Sequence, residues 1–417
     1  MDLLKRNIIV VDLKSFFASC ECVERGLDPF TTPLVVAGSN KGAITLAVTP
    51  YLKNQGIKGR TRLYEIPPHI KYIKVPPRMN LYIKKSKEVV DVYLNYVAPE
   101  DIHIYSIDEC FLDLTNYLKM YQKTDYEIAE DILKEIEEKT GLTATCGIGP
   151  NMLIAKVAMD TEAKKHKNGI CKWTYEDIKD KFYPITPLSK FWGIGPRMEV
   201  KLNRLGIKSI GDLANYNPNK LKQLYGVIGY ELWQHANGID NTKISDINNY
   251  QTKDKSFSHS QVLFKDYDGE NVKIIIKEMI EVLTARLRKS NYVGRIIGFG
   301  LSYSKNEYGG FYHSIKLDNA TDKDDIFYTE CLLILDKFYH NEAIRKVSIS
   351  IGGLEEKTSE QLNLFEDFKE TKKQDDLNET IDTIKKRFGK NSLLKGTSLL
   401  PDSTAIERNG KIGGHHE

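Results

Sequence analysis

IHIYSIDECFLDL, residues 102–114, alternates β-branched and aromatic residues with polar ones and sets two acids, Asp108 and Glu109, in its middle. Period-two alternation marks paired strands, so the spacing predicts a hairpin whose turn carries both acids. Upstream, NIIVVDL (7–13) is a β-branched apolar run that ends with Asp12. That is the pattern of a buried strand. An acid in such a place is costly unless its charge is offset. Any one of the three alone is explained by a strand-end carboxylate facing water, or by an N-cap. Together they form a hard-oxygen set suited to Mg²⁺. Two such ions about 4 Å apart can stabilise both the attacking and the leaving oxygen in phosphoryl transfer.

Working outward, 14–26 reads as an amphipathic helix, and PLVVA (33–37) and AITLAV (43–48) as strands joined by the turn-like GSNKG. A helix at Tyr51–Gln55 stops at Gly56, and another at 81–97 ends before Pro99. A helix at 125–139, the strand TATCGIG (143–149) and a helix at 151–165 complete an α+β core. From Pro184 to Gly238 the pattern changes to short helices with two glycine-centred turns, FWGIGPRM (191–198) and LGIKSIGDL (205–213). DNTKISDINNYQTKDK (240–255) has the polar composition of an interdomain linker. A second α+β unit follows at 256–355, with a helix at 270–290 and strands at 293–304, 311–317 and 345–353. After Gly353 comes a polar tail containing QLNLF (361–365) and an amphipathic pattern through Leu377, Ile381, Ile384 and Phe388.

At 417 residues the chain has room for two to four domains, at about 100–200 residues each. Its 28% charged and 41% hydrophobic content is that of a soluble globular protein. No run approaches the roughly 18 apolar residues of a membrane span. The N-terminus does not read as a signal peptide, so a cytoplasmic protein is expected. Cys20, Cys22, Cys110, Cys146, Cys171 and Cys331 are scattered, and the first two are too close for an ordinary zinc pair. Reduced thiols of a cytosolic protein are expected. A net charge of +3 does not by itself mark a nucleic-acid binder; basic residues would have to gather on one face.

Four strings, VVDLKSFFASCE (10–21), YSIDECFLDLT (105–115), CGIGPNMLIAKVAMD (146–160) and FWGIGPRM, resemble motifs of Y-family DNA polymerases, in that family's order. The resemblance runs from the first strand to about Gly353 and is nearest to UmuC-like and UvrX-like bacterial polymerases. It implies a multidomain α+β right hand. The palm would be 1–13 and 80–174, the fingers 14–79, and the helix–hairpin–helix thumb 175–239. The linker 240–255, a little finger at 256–355 and a clamp-binding tail at 356–417 would follow. The implied activity is template-directed, lesion-bypass DNA synthesis from a primer 3′-hydroxyl, with low fidelity and no proofreading.

The resemblance also assigns roles. Asp12, Asp108 and Glu109 would be catalytic and would bind two Mg²⁺, with the Leu13 carbonyl completing one site. Backbone amides of Phe16 and Phe17 would meet the dNTP triphosphate, as an anion meets a helix N-terminus. Phe17 matches the steric gate that excludes ribonucleotides. Lys53 and Lys164 would contact the triphosphate. Lys165 and Lys167 rival Lys164, whose spacing needs an inserted residue. Pro50 stands where the family often has a tyrosine, with Tyr51 beside it as a substitute. Lys156 fits the family's pattern in a structural role. Gly193 and Gly195 would let backbone amides approach a DNA phosphate, helped by Lys201, Arg204 and Lys208. Arg286, Arg288 and Lys289 are further DNA candidates. QLNLF resembles the pentapeptide that enters the bacterial sliding clamp, with Leu364 and Phe365 as anchors beside Leu362 and hydrogen bonds from Gln361. The partners are then primer–template DNA, dNTP and the clamp, with a monomer otherwise and any accessory subunits unspecified. Two alternatives are another two-metal palm-fold enzyme, such as a nucleotidyl cyclase, and a non-catalytic clamp- or DNA-bound factor. The hairpin motif and QLNLF weigh against the first, and the carboxylate trio against the second.

Overall fold

A computed structural model describes residues 3, 5–39, 42–250, 252, 255–305, 307–358 and 368–416. The chain divides into two compact units, one comprising Met1–Tyr250 with the last three residues, the other Gln251–Gly414.

In chain order the first unit has β1 (Ile8–Leu13), α1 (Phe16–Val23), β2 (Leu34–Ala37), β3 (Thr45–Val48), α2 (Pro50–Asn54), β4 (Ile73–Val75) and α3 (Met79–Tyr93). There follow β5 (Ile102–Ile104), β6 (Glu109–Asp113), α4 (Leu118–Tyr121), α5 (Asp125–Thr140), β7 (Ala144–Gly149), α6 (Met152–Thr161) and β8 (Ile170–Lys172). The short helices α7 (Pro196–Asn203), α8 (Ile210–Ala214), α9 (Pro218–Ala236) and α10 (Ile244–Asn248) complete it. The main sheet has the order β5-β6-β1-β7-β8, and β2, β3 and β4 make a smaller one.

β1 is the centre of the main sheet, and its alternation decides what each face meets. Ile9, Val11 and Leu13 point to a core with α3 and α5, through Tyr82, Val89, Ile128 and Ile132. Ile8 and Val10 point to the opposite core, with α6 and the short helices. Both faces are covered, which explains why β1 reads as a continuous apolar run rather than an alternating one. α6 lies unusually close to the sheet. A Cβ on Gly147 would sit 2.1 Å from the Ala155 carbonyl oxygen, so only glycine allows this approach.

The second unit contains β9 (Ser256–Tyr267), α11 (Val272–Lys289), β10 (Tyr292–Tyr303), β11 (Gly310–Thr321), α12 (Asp324–Phe338), β12 (Ile344–Glu356), α13 (Phe368–Phe388) and α14 (Ala405–Asn409). Its sheet runs β11-β10-β12-β9. Ile297, Phe299, Val347, Ile349 and Ile351 pack beneath α11 and α12. The opposite face carries small and hydroxyl residues in register. Gly298 pairs with Ser314 and Ser350, and Ser350 with Ser258. Gly300 pairs with Tyr312 and Ser348, and Ser348 with Ser260.

Four features differ from the sequence reading. Glu109 is the first residue of β6, and only Asp108 lies in the turn. The segment read as linker contributes α10, with Ile244 buried and the Asn248 amide donating to the Glu100 and Ile102 carbonyls at 3.2 and 3.1 Å. β9 and α12 were not anticipated as elements. The polar tail is folded beyond residue 367: Arg288 meets Asp382 at 2.7 Å, and Lys395 meets Asp324 and Glu281 at 3.0 and 3.1 Å. QLNLF, with Gln361, Leu362, Leu364 and Phe365, lies outside the described residues.

Candidate active site

The antiparallel register of β1 and β6 sets Asp12 directly opposite Glu109. The Leu13 N–H donates to the Asp108 carbonyl at 2.9 Å, so all three acids gather at one end of the strand pair. Asp12 is in phase with Ile8 and Val10, and Glu109 with Phe111, so both side chains turn toward α6. There they meet lysines. Lys156 Nζ lies 2.7 Å from Glu109 Oε1 and 3.1 Å from Asp160. Lys164 Nζ lies 2.8 Å from Asp160 and 2.7 Å from Asp12. Asp108 accepts from the Ser106 hydroxyl at 2.6 Å. Each carboxylate has its own partner, and no three His, Cys, Asp or Glu side chains among the described residues are placed to hold one ion.

Burial pushes the Asp12 carboxyl up, only partly offset by Lys164, and nearby Asp108 raises it further. Burial likewise raises Glu109 against the pull of Lys156. The Lys156 ammonium, 2.7 Å from Glu109 Oε1, is the cation that faces this carboxylate. Burial works against the charge of Lys164, but Asp12 and Asp160 outweigh it and hold the ammonium above its ordinary range. Lys53, on α2, is lowered by burial and feels the fields of Asp12, Lys164 and Asp108.

Phe16 is core, 2% exposed, while Phe17 is half-buried. The Phe17 ring packs on Tyr82 with 4.7 Å between centroids. Tyr82 donates its hydroxyl to Glu21 at 2.7 Å. Glu21 is fully buried and also takes two bonds from Arg78, at 3.0 and 2.7 Å, and one from Arg25. Tyr82, Glu21 and Asp160 were missed by sequence reasoning. For Asp160 a signal existed, since it stands four residues from both Lys156 and Lys164.

Gly193 and Gly195 lie in an exposed turn, Gly193 at φ 92°, that leads into α7 with Pro196 at its first position. Lys201, Arg204 and Lys208 are exposed nearby in sequence. A second turn interrupts α9 at Gly226, where φ is 65°, and displays Val227 and Ile228. All six cysteines are buried free thiols. No helix among the described residues is long and apolar enough to cross a membrane.

Residues 11–160 match the impB/mucB/samB family, 254–364 its C-terminal domain, and 175–207 its helix–hairpin–helix motif. UvrX of Bacillus subtilis (strain 168) is 39% identical, covering 99% of this chain and 98% of that protein. DNA polymerase IV 2 of the same organism is 32% identical, covering 99% of each. Among solved structures, a chimeric Y-family DNA polymerase superposes with a TM-score of 0.66 at 21% identity, over 84% of this chain and 99% of that one. Y-family polymerases generally use divalent metal ions in catalysis. The chain belongs to the impB/mucB/samB family of Y-family translesion polymerases and is a template-directed DNA polymerase of the lesion-bypass type.

Proposed function

We propose that Asp12, Asp108 and Glu109 hold two Mg²⁺ ions, with the Leu13 carbonyl completing one site, where the primer 3′-hydroxyl meets the α-phosphate of a dNTP. The observation that carries this reading is the cross-strand pairing of Asp12 with Glu109, one residue from Asp108. The donor set fits a hard cation. It is all oxygen, and burial pushes two of its carboxyls up, a penalty that a bound cation would offset. When bound, the ions supply charge stabilisation at the attacking and leaving oxygens.

The chain's own residues position the rest. Lys53 and Lys164 set positive charge beside the acids for the triphosphate, and the amides of Phe16 and Phe17 offer N–H donors at the start of α1. The Phe17 ring, braced by Tyr82, serves as the wall that a ribose 2′-hydroxyl would strike. Gly193, Gly195 and Lys201 grip the DNA backbone from the thumb (175–239), without reading sequence. The glycine and serine ladder of the second unit suits close approach of a phosphate backbone, which gives 256–355 the little-finger role. The palm is 1–13 and 80–174, and the fingers are 14–79. The enzyme works in the cytoplasm as a monomer tethered to the sliding clamp through Gln361, Leu362, Leu364 and Phe365.

Primer extension with Mg²⁺ tests the site. Wild type extends, and Asp108→Ala with Glu109→Ala does not; equal extension by the double variant overturns the assignment. For the tether, Leu364→Ala with Phe365→Ala abolishes binding to a bacterial sliding clamp, and unchanged affinity refutes it.

A further inference from the structure

Five charges form an unbroken alternating chain: Asp12, Lys164, Asp160, Lys156, Glu109. Their successive contacts are 2.7, 2.8, 3.1 and 2.7 Å. Asp160 is the hub. α6 presents it one helical turn from each lysine, so a single carboxylate fixes both ammonium groups. The two lysines differ in freedom. The Lys156 side chain is 8% exposed, whereas that of Lys164 is 42% exposed and springs from a single 3-10 turn beyond α6. Pulling Lys156 away would strand a charge inside the protein. Lys164 can leave Asp12 into solvent at little cost.

Lys164 sits on Oδ2 of Asp12, an oxygen a divalent cation there would use. We propose that Lys164 is a displaceable counter-ion for Asp12, and that Asp160 is the positioning residue that keeps its ammonium paired when it leaves Asp12. With a cation bound at Asp12, the Lys164 ammonium would give up that contact. Asp160 retains it within reach, beside the proposed path of the triphosphate, rather than releasing it to bulk water. The acids thus stay close together at the strand ends without an ion, and a free cation must compete with a resident charge to enter. This rests on the reading of Asp12 as a metal ligand.

The test is titration of Mn²⁺ alone into the full chain, without DNA or nucleotide, following the loss of the free-ion EPR signal. Replacing the resident charge in Lys164→Met should tighten Mn²⁺ binding about fivefold, the size of a partly exposed ion pair. Lys165→Met, which removes the same charge one residue along, should stay within about twofold of wild type if contact rather than net charge matters. Asp160→Asn should weaken binding in the wild-type background and have little effect in the Lys164→Met background, because it acts through Lys164. Two results overturn the proposal: unchanged affinity in Lys164→Met, or an Asp160→Asn effect that persists undiminished without Lys164. Asp12→Asn separates this from failure of the metal site itself. If wild type and Asp12→Asn bind Mn²⁺ equally, the ligand assignment falls first.

Discussion

Two glutamates of the first unit, one buried and one largely so, are treated in opposite ways. Glu21, between α1 and α3, has a side chain with 0% exposure and receives bonds from two arginines and a tyrosine. Burial pushes its carboxyl up, but the bonds from Arg78, Tyr82 and Arg25 outweigh that and hold it below the usual range. Glu109, at the end of β6, is faced by one lysine, and its carboxyl stays raised. Depth differs little, at 0% against 10% side-chain exposure, and the more exposed acid carries the raised carboxyl, so depth does not separate them. The supply of donors does. Glu21 is held ionised by several donors, whereas Glu109, the acid proposed to bind a cation, has one lysine facing it.

The largest test of that contrast uses Asp12, the partner of Glu109. Its raised carboxyl means that the fold penalises the ionised form. That contribution is favourable only at pH below the ordinary carboxylate value, and is lost as pH rises through the raised one. At neutral pH Asp12→Asn therefore removes a cost. Primer extension should fall by at least about a thousandfold, while the melting temperature in EDTA rises by about 1–3 °C. A lower melting temperature would mean that Asp12 contributes to the fold as Glu21 does.

Glu21→Gln should do the reverse. Leaving Arg78 and Tyr82 short of their acceptor should cost about 3 kcal/mol, read as a lower urea midpoint. The sign with pH also differs from Asp12. Stability from Glu21 is present above its unfolded value and is lost only as pH falls through its lowered one. Wild type should keep this contribution at pH 5, and the variant should lack it throughout. A midpoint within about 0.5 kcal/mol of wild type would show that donors do not distinguish the two acids. A smaller effect is expected at the Phe17 ring that Tyr82 braces. Phe17→Leu should cut discrimination against ribonucleotides by at least about tenfold with dNTP use retained, and unaltered sugar selection would deny it the gate role.

Much of the catalytic unit was legible because burial there is written in apolar residues. β1, β6 and β7 were visible as alternating or β-branched runs, and their acids stood out against that background. Asp160 was not, because an acid between two lysines on a helix also describes an ordinary solvated face. Only the close approach at Gly147 turns that face toward the strand ends. β9 was obscured because SFSHSQ continues the polar composition of the preceding segment. Pairing with β12 makes it a strand, a tertiary override of local preference. α12 had a readable signal, since Phe327, Cys331, Ile334 and Leu335 recur at helical spacing. The amphipathic pattern through Leu377, Ile381, Ile384 and Phe388 was readable and falls within α13, but its docking was not, because hydrogen bonds and ion pairs such as Arg288 with Asp382 leave no apolar signature.

The second unit carries its own version of the contrast, and it yields the smallest effect. Glu278 is 4% exposed and is satisfied by Ser403 and by the Thr404 N–H and hydroxyl. From Thr404 the bonds continue through Gln261 to Arg408 and end at His259 Nε2, 3.0 Å from the guanidinium. An arginine only donates, so Nε2 accepts and the ring proton sits on Nδ1, which is buried without a partner. Burial, then repulsion from Arg408, Arg286 and Lys390, pushes His259 down to about 4. A histidine lowered in the folded state gives stability that is complete above about pH 6.5 and is lost as pH falls toward 4, because the unfolded chain takes the proton first. With partial exposure screening the charges, the loss should be about 1 kcal/mol. The measurement is the full chain's melting temperature between pH 7 and 5, compared with His259→Gln. The variant should lose less stability over that range, since its amide can accept from Arg408 and takes no proton. Parallel pH profiles would show that the bonds from Glu278 to Arg408 end without straining the histidine, and the difference between satisfied and unsatisfied groups would then be confined to the catalytic unit.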